Sequence, residues 1–379
     1  PLEIAEYYTA IFMRDIDRLN IDKPEMIVKA TDNIPEMIEF VEKLLEKGYA
    51  YETSDGIYFD ISKFEGYGKL SRMNFEEQQA GARVEVNEEK RHPADFALWK
   101  KSQKGRLQER ESPWGVGYPG WHIECSAMGL KYLGERFDIH TGGVDHIPIH
   151  HENEIAQTEA LLGKPAVNIW MHNEFLLVDG GKMSKSLGNC YTLDDLEARG
   201  YSPLCYRYFV LNAHYRSKLN FTFEGMEAAK KSLSKLVSAV KSHKDAPGEV
   251  DAKILDEFRN EFYQAVNDDL NIPKALGVVW NMARYSVKSD KIYRLILETD
   301  KILGLDLHLD AEVQPEVPSD LDPDVEARVR ARHEARKAKN FAEADRIRNE
   351  LKQEGIVLED MPNGVKVTVD GRSHVVEFG

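Results

Sequence analysis

Apolar residues recur at helical intervals in two parts of the chain, near its start and after residue 223. In the segment 36–48 they are spaced by three and four positions, and Gly48 is placed to end the predicted helix. The same periodicity predicts four later helices, over residues 224–242, 252–267, 274–287 and 291–303. We therefore expect a helical bundle over residues 223–308.

Between these helical parts the pattern is that of an α/β fold. A weak alternation predicts a strand at 57–61, and the loop-rich segment 62–119 indicates an irregular subdomain inserted at about 50–118. An apolar helix and then a strand over 137–140 follow, and this strand leads into a turn at 141–145. Ligand sites of open α/β sheets lie at the carboxyl ends of strands, so this turn is a candidate binding site.

The end of the chain has the pattern of a linker followed by a small α+β domain. Three prolines alternate with six acidic residues in 309–324, which disfavours both helix and sheet. The run 326–339 carries four arginines and two lysines against two glutamates, which indicates either a solvated helix face or a nucleic-acid contact. The turns Asn363-Gly364 and Asp370-Gly371 predict a meander of strands over 356–378.

Composition narrows the class of protein. With 379 residues, 42% hydrophobic and 30% charged, the chain has room for two or three globular domains. Its net charge of −15 means that any nucleic-acid partner must meet local basic patches. No stretch approaches the ~18 to 20 apolar residues of a membrane span, and no signal peptide is evident. Three scattered cysteines do not make a disulfide framework, so we expect a cytoplasmic protein.

The loop 181–189 is the first candidate for chemistry. Lys182, Ser184, Lys185 and Ser186 lie within five positions, between glycine-containing turns. A mobile loop of this kind can bring two ammonium groups onto a polyphosphate and release them afterwards. It is not a P-loop, because the required glycine spacing and the hydroxyl residue after the lysine are both missing. The alternative is an exposed basic turn.

Three residues that precede this loop in the chain make a candidate metal site. If a helix begins near Pro148, His150 and Glu154 share one of its faces, and Cys125 can complete a Cys/His/Glu set. Three protein ligands with an open position are typical of a working zinc site rather than a structural one. The alternatives are a surface pair on a helix and a buried core cysteine. His146, four residues before His150, is a possible competing ligand.

Three strings of residues carry a resemblance to a known family. K-M-S-K-S-L-G-N at 182–189 resembles the signature loop of class I aminoacyl-tRNA synthetases, which closes over the pyrophosphate of ATP. P-G-W-H-I-E-C at 119–125 and H-H-E-N-E at 150–154 are similar to cysteinyl-tRNA synthetases. The resemblance implies a Rossmann-like α/β catalytic domain, then a helical bundle and a small α+β anticodon-binding domain. The catalytic domain is expected at 1–180 and a signature-loop and stem-contact region at 181–222. The helical bundle is expected at 223–308, the linker at 309–324 and the anticodon-binding domain at 325–379.

The same resemblance implies roles for single residues. Zinc would be held by Cys125, His150 and Glu154, and Trp121 would line the pocket for L-cysteine. The ATP site, with its Mg²⁺, would include the residues Gly142, Gly143, Asp145 and Lys185. Lys182, Ser184, Lys185 and Ser186 would assist adenylate formation, and Arg336 and Asp345 would bind anticodon bases of tRNA. We expect a monomer.

One departure from the family bears on this interpretation. Its opening segment, with another zinc-ligating cysteine and an H-I-G-H-type string, has no counterpart here, and we expect it upstream of Pro1. The chain then holds three of four expected zinc ligands and one half of the nucleotide fold, and by itself it could be inactive. One alternative is a non-catalytic tRNA-binding relative. Another is a ligase that joins cysteine to an amino sugar, which the anticodon-like segment disfavours.

Overall fold

The computed structural model describes residues 1–72, 88–102, 108–308, 321–338, 340–361, 364–369 and 372–377. The chain forms two compact units. The first comprises residues 1–8 and 24–175, and the second comprises residues 9–23 and 176–379. Helix α1 (Leu2–Arg18) contributes residues to both units. Among the described residues, no helix combines the length and the apolar character that a membrane span requires.

The first unit contains an antiparallel sheet packed on helix α2 (Ile34–Glu46). The sheet has the order β1-β2-β3-β4 and consists of β1 (Ala50–Thr53), β2 (Gly56–Phe59), β3 (Phe96–Lys101) and β4 (Gly117–Pro119). The sequence indicated a loop-rich, irregular subdomain over 62–119 and missed β3 and β4. The reason is that β3 has no clean alternation and pairs with β2, about forty positions earlier in the chain.

A β–α–β arrangement follows the sheet. Helix α3 (Trp121–Leu133) leads to strand β5 (Phe137–Gly143), helix α4 (His150–Leu162) and strand β6 (Val167–Asn173). Strands β5 and β6 are parallel, and α4 is the crossover between them. Helices α3 and α4 are joined through Gln157, whose Nε2 donates to the His122 carbonyl at 2.6 Å and to Ser126 Oγ at 2.7 Å.

The second unit opens with a small sheet and two short helices. Strand β7 (Leu176–Val178) pairs antiparallel with β8 (Gly181–Lys182) and parallel with β9 (Leu219–Phe221). Helices α5 (Leu193–Ala198) and α6 (Pro203–Leu211) lie between β8 and β9 in the chain.

The bundle that follows confirms the four predicted helices. They are α7 (Phe223–Lys241), α8 (Ala252–Asn267), α9 (Ile272–Ala283) and α10 (Asp290–Leu303). Each begins within two residues of its predicted start, because each has a polar N-cap side chain that accepts a backbone hydrogen bond. Helix α9 ends four residues before its predicted end.

The last part of the chain is a helical hairpin and a three-stranded antiparallel sheet. Its elements are α11 (Pro323–Lys337), α12 (Phe341–Gln353), β10 (Val357–Met361), β11 (Gly364–Val369) and β12 (Arg372–Glu377). The predicted meander is therefore present, although residues 362–363 and 370–371 of its turns lie outside the described residues. Of the predicted linker, residues 309–320 lie outside the described residues, and Pro323 and Asp324 already belong to α11.

Asp360 on β10 holds this domain together through an arginine of α11. Arg332 is 4% exposed, and its guanidinium donates to both Asp360 oxygens at 2.7 and 3.0 Å. Hydrogen bonds from Arg332 outweigh burial, and with those from Arg336 they lower the pKa of Asp360 to about 2. Since the folded-state pKa lies below the unfolded value, this stabilisation is present above about pH 4 and is lost as the pH falls towards 2.

We expect Asp360→Asn to make α11 and β10 exchange amide hydrogens about tenfold faster at pH 7, because Arg332 stays buried without its anionic partner. The difference from wild type should shrink as the pH falls from 4 to 2, where wild-type Asp360 itself becomes protonated. Hydrogen exchange with mass spectrometry measures both effects. Glu359→Gln is the control, since the Glu359 side chain is 65% exposed and lies 3.9 Å from Lys366. Equal exchange in the two variants would contradict the prediction.

Candidate active site

Helices α3 and α4 bring together the three side chains that the sequence predicts as metal ligands. Cys125 lies on α3, and His150 and Glu154 lie one turn apart on α4. One donor atom of each residue lies within 4.8 Å of the other two. His150 Nε2 is 3.0 Å from Glu154 Oε1, as the i, i+4 spacing requires. Binding of a metal by this set stays a prediction.

The carboxylate of Glu154 fits a cation. The residue is 4% exposed, and its Oε1 is buried with no hydrogen bond of acceptable geometry from any described residue. Burial raises the pKa of Glu154, but the imidazoles of His140 and His150 outweigh burial and lower the pKa to about 2. Leaving an ionised, buried oxygen unsatisfied costs free energy, which a bound cation would offset.

Cys125 adds a soft donor to this set. Burial, followed by the charges of Glu154 and Glu124, raises the pKa of its thiol to about 12. Without a cation the thiol is therefore protonated at neutral pH. A bound divalent ion reverses this preference, since a coordinating thiol is deprotonated outright. A set of one sulfur, one imidazole and one carboxylate suits Zn²⁺ among the common divalent ions.

Further histidines surround Glu154, and the sequence did not predict that they converge. His140 on β5 and His151 on α4 form a second group with Glu154, whose donor atoms also lie within 4.8 Å of one another. His140 Nε2 is 3.4 Å from Glu154 Oε1. His151 Nδ1 is 2.8 Å from His172 Nε2 on β6. Burial lowers the pKa of His151 to about 3, so its imidazole is neutral near pH 7.

His146 and His122 contact the predicted ligand His150 in different ways. The ring of His146 lies 5.0 Å from that of His150, but His146 belongs to neither group of clustered donor atoms. Its predicted competition as a ligand therefore has no support in the geometry. His122 was not singled out from the sequence, and its Nδ1 lies 2.9 Å from His150 Nδ1. The G-W-H-I-E-C string was the one signal that could have indicated it.

Trp121, the predicted residue of the amino-acid pocket, is the first residue of α3. Its side chain is 61% exposed, and its ring centroid lies 4.6 Å from that of His150. An exposed aromatic ring beside a candidate ligand histidine can form one wall of a small-molecule site.

Of the two glycines predicted for the ATP site, Gly142 is required by close approach to the buried His151 ring, whereas Gly143 approaches only the exposed side chain of Asp145, which can move. A side chain at Gly142 would place its Cβ 2.6 Å from the His151 ring, and one at Gly143 would lie 2.3 Å from Asp145 Oδ1. The predicted turn at 141–145 is shorter than expected, because β5 continues through Gly143 and only residues 144–146 form a 3-10 turn. Asp145 itself is exposed.

Glu152, on the same helix as the predicted ligands, has a structural role that the sequence did not indicate. It is fully buried and accepts hydrogen bonds from the backbone amides of Gly68 at 2.8 Å, Leu70 at 3.0 Å and Ser71 at 2.8 Å. The string H-H-E-N-E therefore serves two faces of α4. His150 and Glu154 face the candidate metal site, and Glu152 holds the segment 68–71.

The predicted signature loop follows a tight hairpin. Asp179 and Gly180 have φ of 48° and 77° and form the turn that connects β7 to β8. Asn189 closes the loop from the other side. Its Oδ1 accepts from the Ser184 amide at 2.8 Å, and its Nδ2 donates to the Lys182 carbonyl at 3.0 Å.

Within this loop the hydroxyls of two of the four predicted catalytic residues are close in space. Residues 185–187 form a 3-10 turn, and the Oγ atoms of Ser184 and Ser186 are 2.8 Å apart. Lys182 and Ser186 are exposed. The side chain of Lys185 lies outside the described part of the chain. The roles of these residues in catalysis stay predictions.

The basic run of α11 is largely neutralised within its own domain. Arg328 pairs with Glu354, Arg330 with Glu326, and both Arg332 and Arg336 pair with Asp360. Arg336 and Asp345, the two residues predicted to bind anticodon bases, are both exposed, on α11 and α12. Their contact with tRNA stays a prediction.

Three family models match the chain. Residues 2–231 match the family model described as "tRNA synthetases class I (C) catalytic domain". Residues 261–307 match the DALR domain, and residues 319–367 match the "Cysteinyl-tRNA ligase anticodon binding domain".

Curated relatives and solved structures agree with these matches. The chain is 44% identical to the cysteine–tRNA ligase of Thermococcus onnurineus, over 96% of the chain and 80% of that protein. It is 46% identical to cysteine–tRNA ligase 1 of Burkholderia lata, over 96% of the chain and 76% of that protein. Methionyl-tRNA synthetase of Mycobacterium tuberculosis, in complex with methionyl-adenylate, superposes with a TM-score of 0.52 at 15% identity, over 80% of this chain and 77% of that one. This similarity confirms the predicted fold class.

Proposed function

Because this chain belongs to the cysteine–tRNA ligase family of class I aminoacyl-tRNA synthetases, we propose that it activates L-cysteine through a cysteinyl-adenylate selected at a zinc site. The convergence of Cys125, His150 and Glu154 beside Trp121 carries this proposal. The cysteine carboxylate attacks the α-phosphorus of ATP, which forms the mixed anhydride and releases pyrophosphate. A hydroxyl of the terminal adenosine of tRNA then takes the cysteinyl group, and AMP departs.

Selection against serine is the reason for a metal at this site. Cysteine and serine differ by one atom, and ordinary pocket contacts separate near-isosteres by only about a hundredfold. Cys125, His150 and Glu154 would hold Zn²⁺, which would supply a preference for the substrate thiolate over a hydroxyl. The buried oxygen Oε1 of Glu154, which accepts no hydrogen bond from the described residues, supports a cation there.

Other residues of the site orient the two substrates. The exposed ring of Trp121 forms a wall for the amino acid beside His150. Gly142 and Gly143 add no side chain at the carboxyl end of β5 and so leave room there for ATP. The carboxylate of Asp145 is exposed there and can accept hydrogen bonds from the nucleotide or contact its Mg²⁺.

The signature loop stabilises the departing pyrophosphate. Lys182 and Lys185 bring positive charge to oxygens whose negative charge grows in the transition state, and the hydroxyls of Ser184 and Ser186 can donate hydrogen bonds to them. Asn189 presets the loop by bridging the backbone of Lys182 and Ser184. The tRNA contacts fall to the C-terminal domain, where exposed Arg336 and Asp345 suit the edges of unstacked anticodon bases.

Lys185→Ala tests this assignment of the loop. We expect it to slow cysteine-dependent exchange of pyrophosphate into ATP by at least about a hundredfold, since one donor to transition-state charge is removed. Cysteine binding, measured by calorimetry, should change little because the amino-acid pocket is untouched. Exchange kinetics and binding are measured on the same preparations.

Lys164→Ala is the matched control, because Lys164 is exposed and pairs only with surface Glu135 among the described residues. Equal loss of exchange and of cysteine binding in Lys185→Ala would contradict the role of the loop. Wild-type charging of tRNA with cysteine, but not of an amino sugar, tests the acceptor. Wild-type protein that binds tRNA but neither exchanges pyrophosphate nor charges tRNA would contradict the proposed function.

A further inference from the structure

We propose that His122 is a positioning residue for the metal centre, which accepts a hydrogen bond from His150 Nδ1 and so directs the lone pair of His150 Nε2 towards the cation. This inference rests on the proposed function, because it concerns the zinc site assigned there. It adds a residue that contacts neither the cation nor the substrate.

The contact joins two buried imidazoles through the same ring atom. His122 Nδ1 and His150 Nδ1 are 2.9 Å apart, and the two residues are 8% and 4% exposed. A hydrogen bond between two Nδ1 atoms needs one proton, so one ring must donate and the other must accept. The two rings therefore determine each other's tautomers.

The cation determines which ring donates. His150 Nε2 faces Glu154 Oε1 at 3.0 Å, so Nε2 is the nitrogen directed to the ligand set. A neutral imidazole that binds a metal through Nε2 carries its proton on Nδ1. His150 must therefore donate from Nδ1, and His122 must accept at Nδ1 and carry its own proton on Nε2.

The fold holds the acceptor in place. The His122 backbone carbonyl accepts from Gln157 Nε2 at 2.6 Å, and Gln157 lies on the same helix as His150. The ring of Phe96 packs edge-on against the His122 ring, with centroids 5.6 Å apart. Of the described residues, His122 is the one whose side chain hydrogen-bonds His150 Nδ1. A rigid acceptor aimed at a ligand histidine orients the ring and raises its basicity as a ligand.

Two substitutions separate the hydrogen bond from the packing of the ring. His122→Leu removes the acceptor and keeps most of the apolar volume. His122→Asn keeps an acceptor, because asparagine Oδ1 can occupy nearly the position of histidine Nδ1. We expect His122→Leu to weaken Zn²⁺ binding by about 10- to 100-fold and His122→Asn to restore binding to within about threefold of wild type. Affinity is measured on the full chain by competition with a chromophoric chelator at fixed pH.

Two further measurements complete the design. His172→Leu is the control, since His172 makes the comparable contact with His151, which lies outside the Cys125 group. Its Zn²⁺ affinity should stay within about threefold of wild type. The visible spectrum of the Co²⁺-loaded protein reports ligand geometry, and it should change in His122→Leu and return in His122→Asn.

The outcomes distinguish this inference from the function on which it rests. Wild-type protein that binds no Zn²⁺ would overturn the zinc role and this inference together. Wild-type binding with unchanged affinity in His122→Leu would overturn the inference alone. Equal loss in the leucine and asparagine variants would also overturn it, because the ring and not its acceptor would then matter. Weaker Zn²⁺ binding in His122→Leu together with near wild-type binding in His122→Asn supports the inference.

Discussion

Cys125→Ser is expected to abolish the proposed zinc binding and most of the proposed preference for cysteine over serine. The substitution replaces the sulfur donor that the described residues bring to the ligand set with a hydroxyl, which binds Zn²⁺ far more weakly than a thiolate. Loss of a residue that only hydrogen-bonds a metal ligand lowers metal affinity by about 10- to 100-fold, and loss of a ligand itself should lower zinc affinity further. The preference for cysteine over serine should fall to about a hundredfold, which is the value expected of a pocket without a metal. Metal analysis after dialysis and pyrophosphate exchange with each amino acid measure the two effects.

The matched control is Cys190→Ser, which makes the same atomic change at an exposed cysteine of the second unit. It should keep the wild-type zinc content and the wild-type preference for cysteine. Because sulfur and oxygen differ little in size, Cys125→Ser should also keep the thermal stability of the metal-free protein. Full zinc content in Cys125→Ser would exclude Cys125 as a ligand and would move the candidate site to the second group, with His140 and His151.

Glu152→Ala is expected to destabilise the first unit by about 3–5 kcal/mol, because three backbone amides lose a buried acceptor. The affected amides belong to Gly68, Leu70 and Ser71, and the carboxylate that serves them is fully buried. Thermal unfolding measures the loss of stability. Hydrogen exchange should show early opening of residues 66–72.

Glu159→Ala provides the comparison for this prediction. It makes the same substitution two turns later on α4, where Glu159 pairs with the half-exposed Lys69 of the same segment. An exposed ion pair contributes about 0–1 kcal/mol, so this variant should unfold close to wild type. If the two variants were equally stable, Glu152 would not hold the segment 68–71.

Short-range patterns account for the elements that the sequence predicted well. The bundle helices have an apolar face at helical spacing and polar N-caps such as Thr222 and Asn271, and both signals lie within a few residues of each other. The pairing of His150 with Glu154 has the same origin, because one helical turn fixes the distance between i and i+4 side chains.

Long-range contacts account for the elements that were missed. Strand β3 depends on its pairing with β2, and its own residues do not alternate cleanly between apolar and polar. The arginines of α11 resemble a nucleic-acid patch in sequence. In the structure Arg332 and Arg336 pair with Asp360, which lies more than twenty residues later. The count of basic residues in 326–339 therefore suggests more unpaired positive charge than the surface of this domain has.

The sequence by itself determined the family, the fold class, the helical bundle and the residues Cys125, His150 and Glu154, because motif strings and helical periodicity are local properties of a chain. Only the tertiary structure decided what surrounds those residues. The packing of α3 on α4 sets His122 against His150, and β5 brings His140 to Glu154. Glu152 turns away from this cluster to bind the segment 68–71. These contacts join residues 14 to 84 positions apart, and their distances follow from how helices and strands pack.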